Sequence, residues 1–124
     1  MARVLVVEDN AANMTLATFL LRSAGHTVLS ATDAEAGLTI ARAEQPDLIL
    51  MDIQLPGMDG LQATALLKGD ASTRAILVVA LTALAMKGDE ERIRAAGCDG
   101  YIAKPFRYQD FLSRVAEQLA AVEG

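Results

Sequence analysis

The chain is poor in the residues that build cross-links and metal cages. Its 124 residues include one cysteine, Cys98, and one histidine, His26. A lone cysteine cannot close an internal disulfide, which fits a reducing compartment, and a cytoplasmic location is expected. His26 follows Gly25 with no second ligand or catalytic partner in sight, so it reads as a surface residue. Long apolar runs are missing as well. None approaches the ~20 residues needed to span a bilayer, and no basic leader with a small-residue cleavage site opens the chain. No membrane association is expected. Basic residues are outnumbered, 11 Lys and Arg against 16 Asp and Glu, for a net charge of −5. A nucleic-acid surface draws its affinity from neutralising phosphates, so no nucleic-acid partner is expected either. There is no internal repeat, low-complexity tract or linker, and the length suits one domain over residues 1–124.

What the chain does have is apolar residues, 52% of the total, gathered into short runs. Val4–Val7, Leu48–Met51, Ile76–Leu81 and the shorter Tyr101–Ala103 stand out, with Thr27–Leu29 a weaker fifth. The strong runs are continuous rather than alternating, as strands are when both faces of a parallel sheet are covered. Helical spacing fills the gaps. Met14, Ala17, Leu20, Leu21 and Ala24 recur on one face, with Gly25 suited to the position past the helix end. Thr32 and Glu35 predict a capping box for a second helix that stops near Pro46. Leu61 to Lys68 predicts a short third helix, and the charged stretch from Met86 to Ala96 a fourth. Phe111, Leu112, Val115, Leu119 and Val122 share one face of a fifth. Strand and helix alternate five times, which predicts an α/β fold: a doubly wound, five-stranded parallel sheet with five helices and right-handed crossovers. The flavodoxin-like strand order 2-1-3-4-5 is expected.

In such sheets ligands bind beyond the carboxyl ends of the strands. Strand 1 ends in Glu8-Asp9, strand 3 in Asp52, strand 4 in Thr82 and strand 5 in Lys104-Pro105. Three carboxylates meeting at one rim repel, and one or more must shift its pKa upward unless a cation relieves them. Lys104 is one such cation. A bound metal is another, and oxygen-only ligands favour Mg²⁺ or Mn²⁺ over zinc. A carboxylate beside that ion is a plausible nucleophile toward phosphorus. Thr82 and Lys104 could each hold one phosphoryl oxygen, and phosphoryl transfer needs mainly positioning and charge neutralisation.

Glu8-Asp9, Asp52 with Leu55-Pro56-Gly57-Met58-Asp59-Gly60, Thr82-Ala83 and Lys104-Pro105 together resemble the response-regulator receiver domain, in order, at matching spacing and over essentially the whole chain. Each motif alone is weak; it is their joint placement at four strand ends that is specific. Members often carry Asp-Asp where this chain has Glu8-Asp9. The resemblance implies that Asp52 is the phosphoacceptor and that Glu8 and Asp9 are the acidic pair holding Mg²⁺. It implies the main-chain carbonyl of Gln54 as a further metal ligand, Thr82 as the switch hydroxyl and Lys104 as the phosphoryl-binding lysine. It also implies a two-component phosphorelay of bacterial type. The phosphoryl donor would be a sensor histidine kinase or a histidine phosphotransfer protein, and a downstream protein would dock on the helix 4–strand 5–helix 5 face. Three segments, Val7–Asn10, Pro46–Pro56 and Ala85–Arg94, are similar to a single-domain member of the family, and recur in receivers attached to hybrid kinases.

Each residue taken singly has a plainer reading. Asp52 could merely end a strand in a turn, Glu8-Asp9 could favour a helix dipole, and Thr82 could be a buried β-branched residue. Tyr101 reads equally as an aromatic that swings with Thr82 or as a half-buried edge-strand tyrosine. Cys98 reads as packing, and Glu90–Arg94 as a solvated i,i+4 pair. Leu84, two residues after Thr82, cannot orient a water, and a slow loss of phosphoryl from Asp52 is expected. Competing functions fit less well. A receiver cut from a longer regulator or hybrid kinase remains open. An aspartyl-phosphate phosphatase of the haloacid-dehalogenase kind needs a second aspartate where Gln54 stands. A flavin carrier would find its phosphate repelled by Glu8-Asp9.

Overall fold

The computed structural model describes residues 2–83, 87–105 and 107–123. The alternation is as expected: β1 (Arg3–Val7), α1 (Ala11–Ser23), β2 (Thr27–Ala31), α2 (Ala34–Glu44), β3 (Leu48–Asp52), α3 (Gly60–Gly69), β4 (Leu77–Thr82), α4 (Lys87–Ala95), β5 (Gly100–Ala103) and α5 (Tyr108–Glu123). The five strands form one parallel sheet in the order β2-β1-β3-β4-β5. Leu84, Ala85 and Met86 lie outside the described residues, as does the side chain of Val122.

The strong runs are continuous because β1, β3 and β4 each have two apolar neighbours, one above and one below. Leu5, Val7, Ile49, Met51 and Val78 point into one core layer with Leu38 of α2 and Leu67 of α3. Their chain neighbours Val4, Val6, Leu48, Leu50 and Val79 point into the other, with Leu20 and Leu21 of α1 and Phe111 and Val115 of α5. Each fully buried side chain of this kind contributes about 1.5–3 kcal/mol.

Helix starts are set by short polar side chains. Asn10 accepts from Asn13 N (2.9 Å) to open α1. At α3 a complete capping box forms, with Asp59 accepting from Gln62 N (2.8 Å) and Gln62 from Asp59 N (3.0 Å). The capping box expected of Thr32 and Glu35 does not form. Asp33 caps α2 instead, accepting from Ala36 N at 2.8 Å, so the helix begins one residue later. Aspartate is among the strongest N-caps and wins over the adjacent threonine. His26 is not the unpartnered surface residue expected: it is half-buried, and its Nδ1 accepts from Ala2 N at 3.3 Å.

Two glycines let layers approach closely. A Cβ on Gly37 would lie 2.8 Å from Val7 Cγ2, where α2 crosses β1. A Cβ on Gly60 would lie 2.1 Å from the Asp52 carbonyl oxygen, so α3 starts directly against the end of β3.

Candidate functional site

The ladder of the sheet runs on past the strand ends and fixes the residues that follow. Glu8 N donates to Ala31 O (3.0 Å), Ile53 N to Leu81 O (3.1 Å) and Lys104 N to Thr82 O (2.8 Å). The loop from β3 to α3 is closed by Gly60 N donating to Ile53 O at 2.9 Å, with Gly57 in the left-handed region at φ 73° and Leu55 buried beneath it. The Lys104–Pro105 bond is cis. The polar ends of β1, β3, β4 and β5 are thus delivered to one rim by backbone hydrogen bonds, whatever their side chains do.

Glu8, Asp52 and Thr82 are buried there, while Asp9 is exposed. One oxygen from each of Glu8, Asp9 and Asp52 lies within 4.8 Å of the other two. Lys104 Nζ bridges the buried pair, 2.9 Å from Glu8 Oε1 and 3.1 Å from Asp52 Oδ2. Asp52 Oδ1 also accepts from Gln54 N at 3.1 Å. Neither Glu8 oxygen accepts a hydrogen bond of regular geometry among the described residues.

Two carboxyls and one ammonium, mostly withdrawn from water, share charge unevenly. Burial first, and then the facing Glu8, push Asp52 up to about 7 against the pull of Lys104. Burial raises Glu8 too, but the proximity of Asp52 and Lys104 outweighs it and leaves that carboxyl below its usual range. Burial works against the charge on Lys104, yet the two acids hold its pKa above the ordinary value. Asp52 is therefore the member of the pair that holds a proton below about pH 7 and loses it as pH rises through that value. An all-oxygen set with under-coordinated, buried carboxylate oxygens suits a hard cation.

Of the residues singled out in the sequence, Glu8, Asp9, Asp52 and Lys104 come together at one point. Thr82 closes the neighbouring strand and borders a hollow of about 290 Å³ together with Gln54 and Arg92. Tyr101 stands apart: its hydroxyl donates to Glu90 Oε1 on α4. Among the described residues the expected Glu90–Arg94 pair is not made, and the ion pair on α4 is Arg92–Asp89 at 3.2 Å. The bond from Tyr101 to Glu90 had no signal in the sequence, since the two lie 11 residues apart on different elements. Cys98 packs against one core layer, 3.8 Å from Thr64 Oγ1, as a small interior residue.

Known proteins are similar to this chain in sequence and fold. The family model for the response regulator receiver domain matches residues 4–116. The polar-differentiation response regulator DivK of Brucella anthropi is 47% identical over 116 residues, 94% of each chain. Among solved structures, the receiver domain of sensor histidine kinase PA1611 from Pseudomonas aeruginosa, with a magnesium ion coordinated in its active-site cleft, superposes with a TM-score of 0.86 at 36% identity, covering 95% of this chain and 96% of that one. A CheY-like receiver domain protein from Methanospirillum hungatei superposes at 0.91 with 28% identity, covering 99% and 97%. In sequence, in strand order and in the acids gathered at its rim, the chain belongs to the response regulator receiver domain family, the signalling switches of two-component systems.

Proposed function

We propose that the chain, over residues 1–124, is a phosphoacceptor switch in which Asp52 takes a phosphoryl group in a reaction that depends on a divalent cation. The observation that carries this reading is the convergence of Glu8, Asp9 and Asp52 within 4.8 Å at the sheet rim, with Lys104 bridging two of them. Receiver domains bind Mg²⁺ at an acidic pocket, and this oxygen-only set fits that ion, with Mn²⁺ as a substitute. Asp9, Asp52 and the main-chain carbonyl of Gln54 would hold it directly, and Glu8 through a water. When bound, the ion neutralises charge shared between the carboxylates and the phosphoryl oxygens.

The protein's own groups do the rest. Asp52, once ionised, attacks the phosphorus of a phosphohistidine. The new P–O bond forms as the P–N bond breaks, and the electron pair leaves with the imidazole. Thr82 donates its hydroxyl to one phosphoryl oxygen, and Lys104 leaves its two carboxylates to pair with another. The donor is a sensor histidine kinase or a histidine phosphotransfer protein. The displaced Thr82 and Tyr101 carry the change to the face made by α4, β5 and α5, where a downstream protein reads it. The chain assists its own phosphorylation and dephosphorylation and catalyses nothing else. A cytoplasmic setting follows from that role. No helix among the described residues is long and apolar enough to cross a membrane.

The test is intact-mass measurement after incubation with Mg²⁺ and acetyl phosphate. A gain of one phosphoryl unit is expected in the parent and none in Asp52→Ala. A gain that persists in Asp52→Ala overturns the assignment.

A further inference from the structure

Helix α4 is attached to the molecule by little. From Gly88 to Ala95 only Ile93 is buried. The helix end is fixed by Cys98 N donating to Ile93 O at 3.3 Å. The other anchor is the side-chain bond from the Tyr101 hydroxyl on β5 to the Glu90 carboxylate on α4. Tyr101 is held from a second side as well. The guanidinium of Arg114 on α5 lies 5.8 Å from its ring centroid and reaches the Tyr101 carbonyl at 3.4 Å. Arg94 and Arg114 line the same hollow of about 310 Å³ beside the ring. The bond to Glu90, and then partial burial, raise the pKa of the Tyr101 hydroxyl.

We propose that Glu90 is a positioning residue that sets the resting balance of the switch by holding Tyr101 outward. The inference rests on the proposed role of Tyr101 as a residue that moves when Asp52 is phosphorylated. A hydroxyl bonded to a carboxylate is about twice as strongly held as one bonded to a neutral acceptor. Any inward rotation of the ring must break that bond, so Glu90 stabilises the outward state and gives the inward state nothing. A contact that favours one of two states shifts their populations by its full differential strength. Coupling is reciprocal: if phosphorylation favours the inward ring, releasing the ring must favour phosphorylation by the same factor. Glutamine at this position keeps the shape and offers a neutral acceptor. The series parent, Glu90→Gln, Glu90→Ala should therefore run in that order.

The chain has two tyrosines and no tryptophan, so in a Tyr108→Phe background Tyr101 is the sole tyrosine. Labelled with 3-fluorotyrosine, it reports its surroundings by ¹⁹F NMR, with and without Mg²⁺ and acetyl phosphate, while mass measurement gives the steady ratio of phosphorylated to unphosphorylated chain. Glu91→Ala, an exposed acid on the same helix that does not touch Tyr101, is the matched control. Before any phosphodonor is added, Glu90→Ala should move the fluorine resonance toward the position it takes in the phosphorylated parent. Glu90→Ala should also raise the steady ratio of phosphorylated to unphosphorylated chain about fivefold, at the low end of typical coupling strengths, with Glu90→Gln between it and the parent. A resonance that stays put in Glu90→Ala while phosphorylation moves it in the parent overturns the inference and leaves the proposed function standing. Equal shifts in Glu91→Ala and Glu90→Ala overturn it too, since the cause would then be helix charge. A parent that gains mass without moving its resonance removes the switch role of Tyr101, and Glu90 with it. No mass gain at all removes the phosphoacceptor reading itself.

Discussion

Every residue of β3, from Leu48 to Asp52, is buried, while α4 sinks only Ile93 among its described side chains. β3 lies between β1 and β4, hydrogen-bonded to both, and α3 begins so close that Gly60 has no room for a side chain. The α4 sequence is almost wholly polar; acids in its first turn and arginines in its last suit the helix dipole, which supports the helix without attaching it. Under the proposed function the two regions divide the work. Group transfer needs reacting atoms held to a fraction of an ångström, and a strand buried on both faces provides that. Signalling needs an element that can be displaced by the 1–3 kcal/mol typical of coupling between sites. Among its described residues, α4 is held by one buried isoleucine and one tyrosine bond, far less than holds β3.

Three measurements can break or sharpen this contrast. The largest effect is expected from Gly60→Ala. Its Cβ would meet Asp52 O at 2.1 Å, Asp52 C at 2.8 Å and Ile53 Cα at 2.9 Å, all of them backbone atoms that cannot swing aside. Denaturant unfolding should show a loss of about 3 kcal/mol or more; a negligible loss would mean that the floor of the site yields. Next comes pH. In the folded chain Asp52 is raised from 3.8 to about 7, so between those values it holds a proton that the unfolded chain lacks. That proton favours the folded state, and the advantage fades as pH rises through about 7. The same proton blocks attack on phosphorus. At limiting Mg²⁺, labelling by acetyl phosphate should rise roughly tenfold from about pH 6 to about pH 8, following ionisation. Excess Mg²⁺ should move the rise to lower pH, because metal and proton compete for one carboxylate. A flat profile at limiting metal would show that Asp52 is already ionised. The smallest effect is expected from Gly88→Ala on α4, where no atom lies within 4 Å of the added Cβ. Better helix propensity should stabilise the chain by about 0.5–1 kcal/mol. A marked loss instead would mean that α4 packs more tightly than its exposure indicates.

The fold was legible because burial on both faces writes β1, β3 and β4 into sequence as unbroken apolar runs, and the two weaker runs became the edge strands β2 and β5. The acidic cluster was legible for the same reason: Glu8, Asp9, Asp52 and Lys104 are the first polar residues after apolar strands, and parallel strands place such residues on one rim. What escaped were choices between near neighbours and contacts across the fold. Thr32 and Asp33 are both competent caps, and only geometry decides that Asp33 serves. Glu90 had an i,i+4 partner in Arg94 but bonds a tyrosine on another element. Lys68 showed nothing in the sequence, yet its ammonium collects Arg74 O, Ile76 O and Asp99 Oδ2 at 3.2, 2.8 and 2.9 Å. Such a cluster is assembled by the crossovers, and no local pattern announces it.

Lys104 reaches from the end of β5 to acids on β1 and β3, and this bears on how the protein keeps between signals. A buried carboxylate pair with no cation nearby would strain the domain whenever divalent ions ran short. The tethered ammonium serves as a permanent understudy, bound by covalent chain rather than by supply. It cannot diffuse away, be chelated or be outcompeted by other proteins. The buried pair therefore keeps a counter-charge without drawing on dissolved ions.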